Sequence, residues 1–175
     1  VLSVFGLGHL PEPAAGHLSA AVHAAQLLGD ADGAFEVMYL LEADDDGTIN
    51  GALNCNAPSW FEVIPVPPGE PRTKPKALNY GLASARGEVI AVFDAEDRPS
   101  PEQPREAVAA FLSGPRHLAV VQAPLLIHNA DDSWLARLFT AEYAAQFDLF
   151  LPGLAALELP LPLGGSSNHF RTAAL

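Results

Sequence analysis

The sequence predicts an α/β domain with a mainly parallel central sheet flanked by helices. Short β-rich runs alternate with helical stretches along the chain, and most of these runs are apolar nearly throughout. Continuous apolar runs are typical of central strands that are covered on both faces. Alternation of strands and helices favours parallel pairing. The 175 residues match the length of one compact domain, which we place at 1–175.

The predicted elements follow one another in a regular order. The strand candidates are Val1–Phe5, Glu36–Glu42, Phe61–Val66, Glu88–Phe93 and Leu118–Gln122. The helix candidates are Ala14–Leu28, Pro75–Ala85, Pro101–Leu112 and Ser133–Leu151. We expect Ser100 to cap the helix that starts at Pro101, with Gln103 completing a capping box. The last helix carries an apolar stripe at Leu135, Phe139, Tyr143, Phe147 and Phe150.

Composition excludes several classes of protein. Nine basic residues against 21 acidic ones give a net charge of −12, which disfavours a nucleic-acid partner. The single cysteine, Cys55, cannot form an internal disulfide or a cysteine metal cluster. No run reaches the ~18 apolar residues that a membrane-spanning helix needs. An acidic protein can still bind phosphates if it recruits a divalent cation.

Acidic side chains follow the strand that ends at Phe93. Asp94 and Glu96 stand two positions apart at the carboxyl end of a central strand, where open α/β sheets bind their ligands. Carboxylates at this spacing can converge on Mg²⁺ or Mn²⁺. The alternative is an acidic turn that caps the next helix, a role that Asp97 could take.

A second acidic cluster follows the strand that ends at Glu42. Asp44, Asp45 and Asp46 come next in the chain. A carboxylate here could accept hydrogen bonds from a nucleobase or a ribose. The alternative is a solvated turn, because Asp46-Gly47 is a favoured turn dipeptide.

The loop between these clusters is basic. Arg72, Lys74 and Lys76 supply three of the nine basic residues within five positions. At the start of a predicted helix they could neutralise a diphosphate that approaches the helix N-terminus. An ordinary exposed basic loop is the alternative.

The segment Leu163–Arg171 is small and polar, and it contains the glycine pair Gly164-Gly165. Paired glycines permit close approach of a ligand to the backbone. Ser166, Asn168 and His169 supply hydrogen-bond donors and acceptors, although a lone histidine is more often a structural hydrogen-bonding group.

These segments together resemble family 2 glycosyltransferases of the GT-A fold, and in particular the bacterial, membrane-associated branch related to cellulose-synthase-like enzymes. The resemblance runs from about Phe35 to Leu175. It is carried by the segments Leu41–Asp45, Pro71–Asn79, Phe93–Pro99, Val121–Pro124 and Gly164–Arg171, in the order the family has them.

The resemblance implies a role for each candidate residue. The residues implied in metal binding are Asp94 and Glu96. They align with the family's aspartate-x-aspartate motif and would bind Mg²⁺ or Mn²⁺. The residues implied in nucleotide binding are Glu42, Asp44, Asp45, Lys74, Lys76 and Asp94. The residues implied on the acceptor side are Gln122, Gly165, Ser166, Ser167, Asn168 and His169.

It also implies the reaction. A UDP- or GDP-sugar would be the donor, and a glycan or lipid the acceptor, with inversion at the anomeric carbon. The family's catalytic base is a later aspartate, so we expect it beyond Leu175. The parent protein would be membrane-anchored, with this domain at the cytoplasmic face of a bacterial inner membrane. A non-catalytic nucleotide-sugar-binding module is the alternative. A nucleotidyltransferase is disfavoured, because the segment Gly6–Gly16 contains no Lys or Arg.

Overall fold

The computed structural model describes residues 2–7, 35–54, 59–94 and 97–175. The predicted helix Ala14–Leu28, the predicted metal ligand Glu96 and the single cysteine Cys55 lie outside these residues. Within them, no helix is both long enough and apolar enough to cross a membrane.

In the described residues the sheet has six strands, in the order β3-β2-β1-β4-β6-β5. Four of them, β1 to β4, run parallel to one another. The strands are β1 (Leu2–Leu7), β2 (Phe35–Glu42), β3 (Phe61–Val66), β4 (Val89–Asp94), β5 (Val120–Gln122) and β6 (Asn168–Arg171). The mainly parallel sheet is therefore confirmed.

The strand β6 was not predicted. It pairs antiparallel with both β4 and β5 and so lies between them. Its sequence, Asn-His-Phe-Arg, lacks the apolar run that marks the parallel strands, because only one apolar side chain is present. The predicted strand over Leu118–Gln122 is shorter in the structure, where β5 begins at Val120.

The helices are α1 (Asp46–Leu53), α2 (Lys74–Leu82), α3 (Gln103–Ser113), α4 (Trp134–Ala144) and α5 (Leu151–Ala156). A π-helical segment, Ala145–Phe150, joins α4 to α5, and a short 3₁₀ turn, Thr172–Ala174, follows β6. The sequence predicted one continuous helix over Ser133–Leu151. Ser133 does cap its start by accepting a hydrogen bond from Ala136 N, but the helix changes type at Ala145 and ends at Ala156.

The expected start of α3 is wrong. The helix begins at Gln103, and its N-cap residue is Glu102, which makes no side-chain capping bond. Ser100 instead accepts a hydrogen bond from Glu102 N at 3.4 Å, just ahead of the helix. Pro104 occupies the first turn of α3. Backbone N–H groups there have no acceptor within the helix, so proline, which lacks this N–H, costs no hydrogen bond.

Apolar residues cover the sheet on both faces. One cluster contains Phe5, Met38, Leu40 and Ile90 and packs against Ala77 of α2. Tyr39 and Leu41, which point to the opposite face of β2, pack against α1. Burial of β2 on both faces explains why its sequence, FEVMYLLE, shows no polar alternation.

Candidate functional site

The carboxyl ends of β2 and β4 lie at the same edge of the sheet. Leu7 at the end of β1 pairs with Leu40 of β2 on one side and with Asp94 of β4 on the other. The last residue of β2, Glu42, lies two residues beyond Leu40 in this register. The two acidic clusters therefore flank β1 at the edge where parallel sheets bind ligands.

Asp44 forms the outermost contact of the site, with Arg72. Nη1 of Arg72 donates to Oδ1 of Asp44 at 3.2 Å, and Nη2 donates to Oδ2 at 2.5 Å. This is the bidentate geometry that makes arginine a strong partner for carboxylates and phosphates. The hydrogen bond from Arg72 lowers the pKa of Asp44, and the charge of Arg72 acts in the same direction. Both side chains are about half exposed, so the pair adds little to stability.

Glu42 forms the second contact, with Lys76. Nζ of Lys76 lies 3.3 Å from Oε1 and 3.2 Å from Oε2 of Glu42. The same ammonium donates to the carbonyl oxygen of Gly69 at 3.1 Å. Lys76 is thereby held over the end of β2, in the first turn of α2.

Asp94 forms the third contact, with Lys74. The ammonium of Lys74 donates to Oδ1 of Asp94 and to the carbonyl oxygen of Gly165. Lys74 is the first residue of α2, after the N-cap Thr73 and before Pro75. It therefore joins the basic loop, the end of β4 and the glycine-rich segment at one point.

The three pairs follow an alternating pattern. The three basic residues are spaced two positions apart in the sequence, at 72, 74 and 76. Each forms an ion pair with a different acidic residue at the sheet edge. The structure thus brings both acidic clusters and the basic loop together, as the sequence-based hypothesis required. The three basic side chains at the N-terminus of α2 can bind a diphosphate. The carboxylates that are paired with them would then be free to bind a metal cation.

Asp45 has a structural role in addition to its place in the cluster. As N-cap of α1, it accepts hydrogen bonds from Thr48 N at 3.1 Å and from Thr48 Oγ1 at 2.8 Å. A turn at Asp46-Gly47 was the alternative given for this acidic cluster, and in the structure these two residues begin the helix. The Asp-x-x-Thr spacing before Ile49 was the signal that could have found it.

Asp97 contacts the end of β4 and the glycine-rich segment. Its Oδ2 accepts a hydrogen bond from Asp94 N at 2.8 Å and another from the hydroxyl of Ser166. Sequence reasoning gave Asp97 a capping role and missed the contact with Ser166, because the two residues lie 69 positions apart. Ser166 is buried, so this contact fixes the glycine-rich segment against Asp94.

The donor atoms around Asp94 are oxygens of the kind that Mg²⁺ and Mn²⁺ prefer. They are the Asp94 carboxylate and the carbonyl oxygen of Gly165, which already share the ammonium of Lys74. Within residues 2–7, 35–54, 59–94 and 97–175, no group of three or more His, Cys, Asp or Glu side chains is placed to hold a metal ion.

Two of the predicted acceptor-side residues lie beside Asp94: Gly165 shares the Lys74 ammonium with it, and Ser166 Oγ accepts a hydrogen bond from Asp94 N at 3.3 Å. Most of the predicted acceptor-side side chains are buried. Ser166, Ser167, Asn168 and His169 are each at most 4% exposed. Asn168 Nδ2 donates to the carbonyl oxygen of Gly164 at 2.7 Å. A Cβ atom on Gly164 would lie 2.6 Å from Nε2 of Gln122, so a larger residue at 164 would displace the end of the Gln122 side chain.

His169 lies inside the sheet and has no exposed surface. Its Nδ1 is 3.3 Å from the carbonyl oxygen of Val121, and its ring meets Phe93 edge-on with centroids 6.0 Å apart. Burial lowers the pKa of His169 and keeps the ring neutral. In this structure the side chain offers no surface to an acceptor.

An apolar cavity of about 330 Å³ lies beyond Gln122. Phe147 and Leu151 line it from the helical side, together with Asp148, and Leu161 and Leu163 line it from the following segment. Sequence reasoning placed Phe147 on an apolar stripe and did not associate it with a cavity. Gln122 belongs both to this cavity and to the neighbourhood of Gly164.

Comparison with protein families found one match. The model of the family described as Glycosyl transferase family 2 matches residues 21–163. A search of curated proteins found no match.

Solved structures with a similar fold include glucosyl-3-phosphoglycerate synthase from Mycobacterium tuberculosis. Its complex with Mn²⁺, UDP and glucosyl-3-phosphoglycerate is 21% identical to this chain, with a TM-score of 0.57. The complex with Mn²⁺, UDP-glucose and phosphoglyceric acid is also 21% identical, with a TM-score of 0.58. The complex with Mg²⁺ and UDP is 19% identical, with a TM-score of 0.55.

Each of these three comparisons covers 99% of this chain and 57% of the solved chain. This chain therefore spans a little over half the length of the enzyme it resembles. The likeness shows a GT-A fold.

Proposed function

This chain belongs to glycosyl transferase family 2, and from that premise we propose that it is the donor-binding part of a glycosyltransferase. It binds a nucleotide-diphosphate sugar with the help of Mg²⁺ or Mn²⁺. The intact protein transfers the sugar, with inversion, to a glycan or lipid acceptor. The observation that carries the proposal is the meeting of two acidic clusters and a basic loop at one sheet edge.

The diphosphate would bind at the N-terminus of α2. Arg72, Lys74 and Lys76 converge there, and the helix dipole adds favourable potential for an anion. Arg72 offers two parallel N–H groups, which suit a phosphate as well as they suit Asp44. Glu42 and Asp44 would then be free to accept hydrogen bonds from the nucleoside.

The residues around Asp94 fit a divalent cation. The ammonium of Lys74 already binds two oxygen donors there, Asp94 Oδ1 and the Gly165 carbonyl. Asp94 would be one ligand, with Glu96 as the second carboxylate of the sequence motif. A cation bound here would offset the charge that develops on the leaving diphosphate. The similar synthase structures that contain Mn²⁺ or Mg²⁺ with UDP support this assignment, and they favour UDP over GDP as the nucleotide.

The acceptor would approach from the side of Gly165. The apolar cavity beyond Gln122 supports an acceptor with an apolar part, because its lining consists mainly of Leu, Phe, Val and Pro side chains. Inversion, the class of acceptor and the place of the parent protein at the inner face of a bacterial membrane rest on the family resemblance. An inverting transfer also needs a carboxylate that takes the proton of the acceptor hydroxyl.

Calorimetry of UDP binding tests the donor site. In the presence of Mn²⁺, we expect Asp94→Asn to weaken UDP binding by roughly 100-fold or more, which corresponds to about 2.7 kcal/mol. Asp132→Asn, the same change at an exposed residue ahead of α4, serves as the matched control and should bind like the wild type. If Asp94→Asn bound UDP as tightly as the wild type in the presence of Mn²⁺, Asp94 would not be a metal ligand.

A product assay on the intact protein separates the enzyme from a non-catalytic module. The enzyme should release UDP and form a glycosylated product whose anomeric configuration, read by NMR, is inverted. Tight UDP binding without sugar transfer to any glycan or lipid acceptor would favour a module that senses nucleotide sugars.

A further inference from the structure

Lys74 occupies a different position from the other two basic residues of the site. Arg72 and Lys76 bind acids that follow or end β2, whereas Lys74 binds Asp94 at the end of β4. Its ammonium also reaches across to the carbonyl oxygen of Gly165. Among these three bases, Lys74 is therefore the one that holds the carboxylate expected to bind metal.

The surroundings of Lys74 resemble those of a bound cation. Both of its acceptors are oxygen atoms, and one of them is a charged carboxylate. The Lys74 and Asp94 side chains are 28% and 35% exposed, so solvent screens their attraction only in part. In this state the ammonium supplies the positive charge that Asp94 requires.

We propose that Lys74 is an internal stand-in for the divalent cation and exchanges places with it when a nucleotide sugar binds. This inference rests on the proposed function. Lys74 leaves Asp94 when that carboxylate coordinates Mg²⁺ or Mn²⁺, and its ammonium then binds the diphosphate. After the exchange the Asp94 carboxylate is paired with the metal ion and the Lys74 ammonium with the diphosphate. No covalent bond forms or breaks.

The exchange couples the binding of the two ligands. A divalent cation that arrives alone must displace Lys74 without giving the ammonium a new anion. A nucleotide diphosphate that arrives with the cation supplies that anion, because α2 carries Lys74 in its first turn. Cation and nucleotide should therefore bind with positive coupling, and Lys74 should carry much of it.

The first test measures binding of Mn²⁺ alone, from the electron paramagnetic resonance signal of free Mn²⁺. We expect Lys74→Met to bind Mn²⁺ about three- to tenfold more tightly than the wild type, a modest gain because the pair is partly exposed. Lys76→Met is the matched control, because it removes the same charge from the same edge but releases Glu42. It should change the affinity for Mn²⁺ by less than about twofold.

The second measurement adds UDP. Lys74→Met should bind UDP less tightly than the wild type in the presence of Mn²⁺, although it binds Mn²⁺ alone more tightly. The factor by which UDP strengthens Mn²⁺ binding should therefore shrink in this variant. A residue with only a structural role would not raise one affinity while lowering the other.

A third measurement needs no substitution. In the wild type, Mg²⁺ should release the Lys74 ammonium and raise its rate of modification by an amine-acylating reagent, as read by peptide mass spectrometry. The rate at Lys76 should stay the same when Mg²⁺ is added without nucleotide.

The outcomes separate this inference from the proposed function. Mn²⁺–UDP binding to the wild type, with no gain in Mn²⁺ affinity in Lys74→Met, would overturn the exchange and leave the donor site in place. Equal gains in Lys74→Met and Lys76→Met would also overturn it, since a general charge effect would then suffice. No binding of Mn²⁺ to any variant, with or without UDP, would overturn both proposals.

Discussion

Glu36 forms a buried hydrogen-bond network at the end of the sheet opposite the candidate site, and its replacement by glutamine should measurably destabilise the fold. The side chain of Glu36 is 5% exposed. Its Oε1 accepts hydrogen bonds from the Ser3 hydroxyl and, at 2.6 Å, from Arg86 N. Its Oε2 accepts one from Arg86 Nε at 2.6 Å. The Ser3 hydroxyl accepts in turn from Gly87 N at 2.8 Å, so it must donate to Glu36.

The structure sets the size of the effect. In Glu36→Gln the amide oxygen can replace Oε1 and keep the bonds from Ser3 and Arg86 N. The amide NH₂ then faces Arg86 Nε, and two donors meet. One charge-assisted hydrogen bond is lost, and the Arg86 side chain, which is 77% exposed, can turn to solvent. We therefore expect a loss of about 2 kcal/mol, below the ~3–5 kcal/mol for breaking a fully buried ion pair.

Urea denaturation followed by circular dichroism measures this loss. For a chain of this size, about 2 kcal/mol corresponds to a melting temperature lower by roughly 4–8 °C. Glu106→Gln, the same change at an exposed residue of α3, is the matched control and should stay within about 0.5 kcal/mol of the wild type. A Glu36→Gln variant as stable as this control would show that the bond from Arg86 Nε to Glu36 adds no net stability.

The pH dependence of stability provides a second check on Glu36. Burial alone would raise its pKa, but the hydrogen bonds from Ser3 and Arg86, with the charge of Arg86, bring the pKa below 4.5. The unfolded chain therefore binds a proton at higher pH than the folded chain does. The contribution of Glu36 is present above about pH 4.5 and is lost as the pH falls through the folded-state pKa. The difference between wild type and Glu36→Gln should shrink over this acid range.

Two further substitutions test other parts of the fold. A Cβ atom at Gly81 in α2 would lie 2.8 Å from two methyl carbons of Leu40, so Gly81→Ala should lower the free energy of unfolding by about 1 kcal/mol despite its better helix propensity. Gly153→Ala, where nothing lies within 4 Å, should not destabilise, and equal effects would contradict the close contact at Gly81. Burial lowers the pKa of His169 from 6.5, so stability should fall as the pH drops below about 6.5, by up to about 1.4 kcal/mol per pH unit. His169→Phe should flatten that slope in urea titrations at pH 7.5 and 5.5; an unchanged slope would assign it to other groups.

The parallel part of the fold was predictable because its strands are buried on both faces. A short, continuous apolar run such as Val37–Leu41 is typical of a central strand that is covered on both faces. The antiparallel strand β6 could not be found in this way. Its residues Asn168 and His169 are polar and are buried by pairing with β4 and β5, which are distant in sequence.

The composition of the candidate site was predictable, but its pairings were not. The acids after β2 and β4 and the bases at 72, 74 and 76 are visible in the sequence, and strand direction brings them to one edge. Which base binds which acid depends on where α2 begins. Because Lys74 is its first residue, that side chain, and not Lys76, reaches Asp94. The contact of Asp97 with Ser166 depends on β6 and was invisible for the same reason.

The place of β6 has a consequence for how the polypeptide assembles. It follows β4 and β5 in the sequence, yet it lies between them in the sheet, and in the described part of the chain β5 pairs with no other strand. Until the ribosome has released residues 168–171, the hydrogen-bonding groups on one side of Val89–Val92 stay open, and a nascent chain is exposed to strand-to-strand association with its neighbours. The segment that leads into β6 also carries Gly165, which accepts from Lys74, so the candidate site is complete only when β6 has paired with β4.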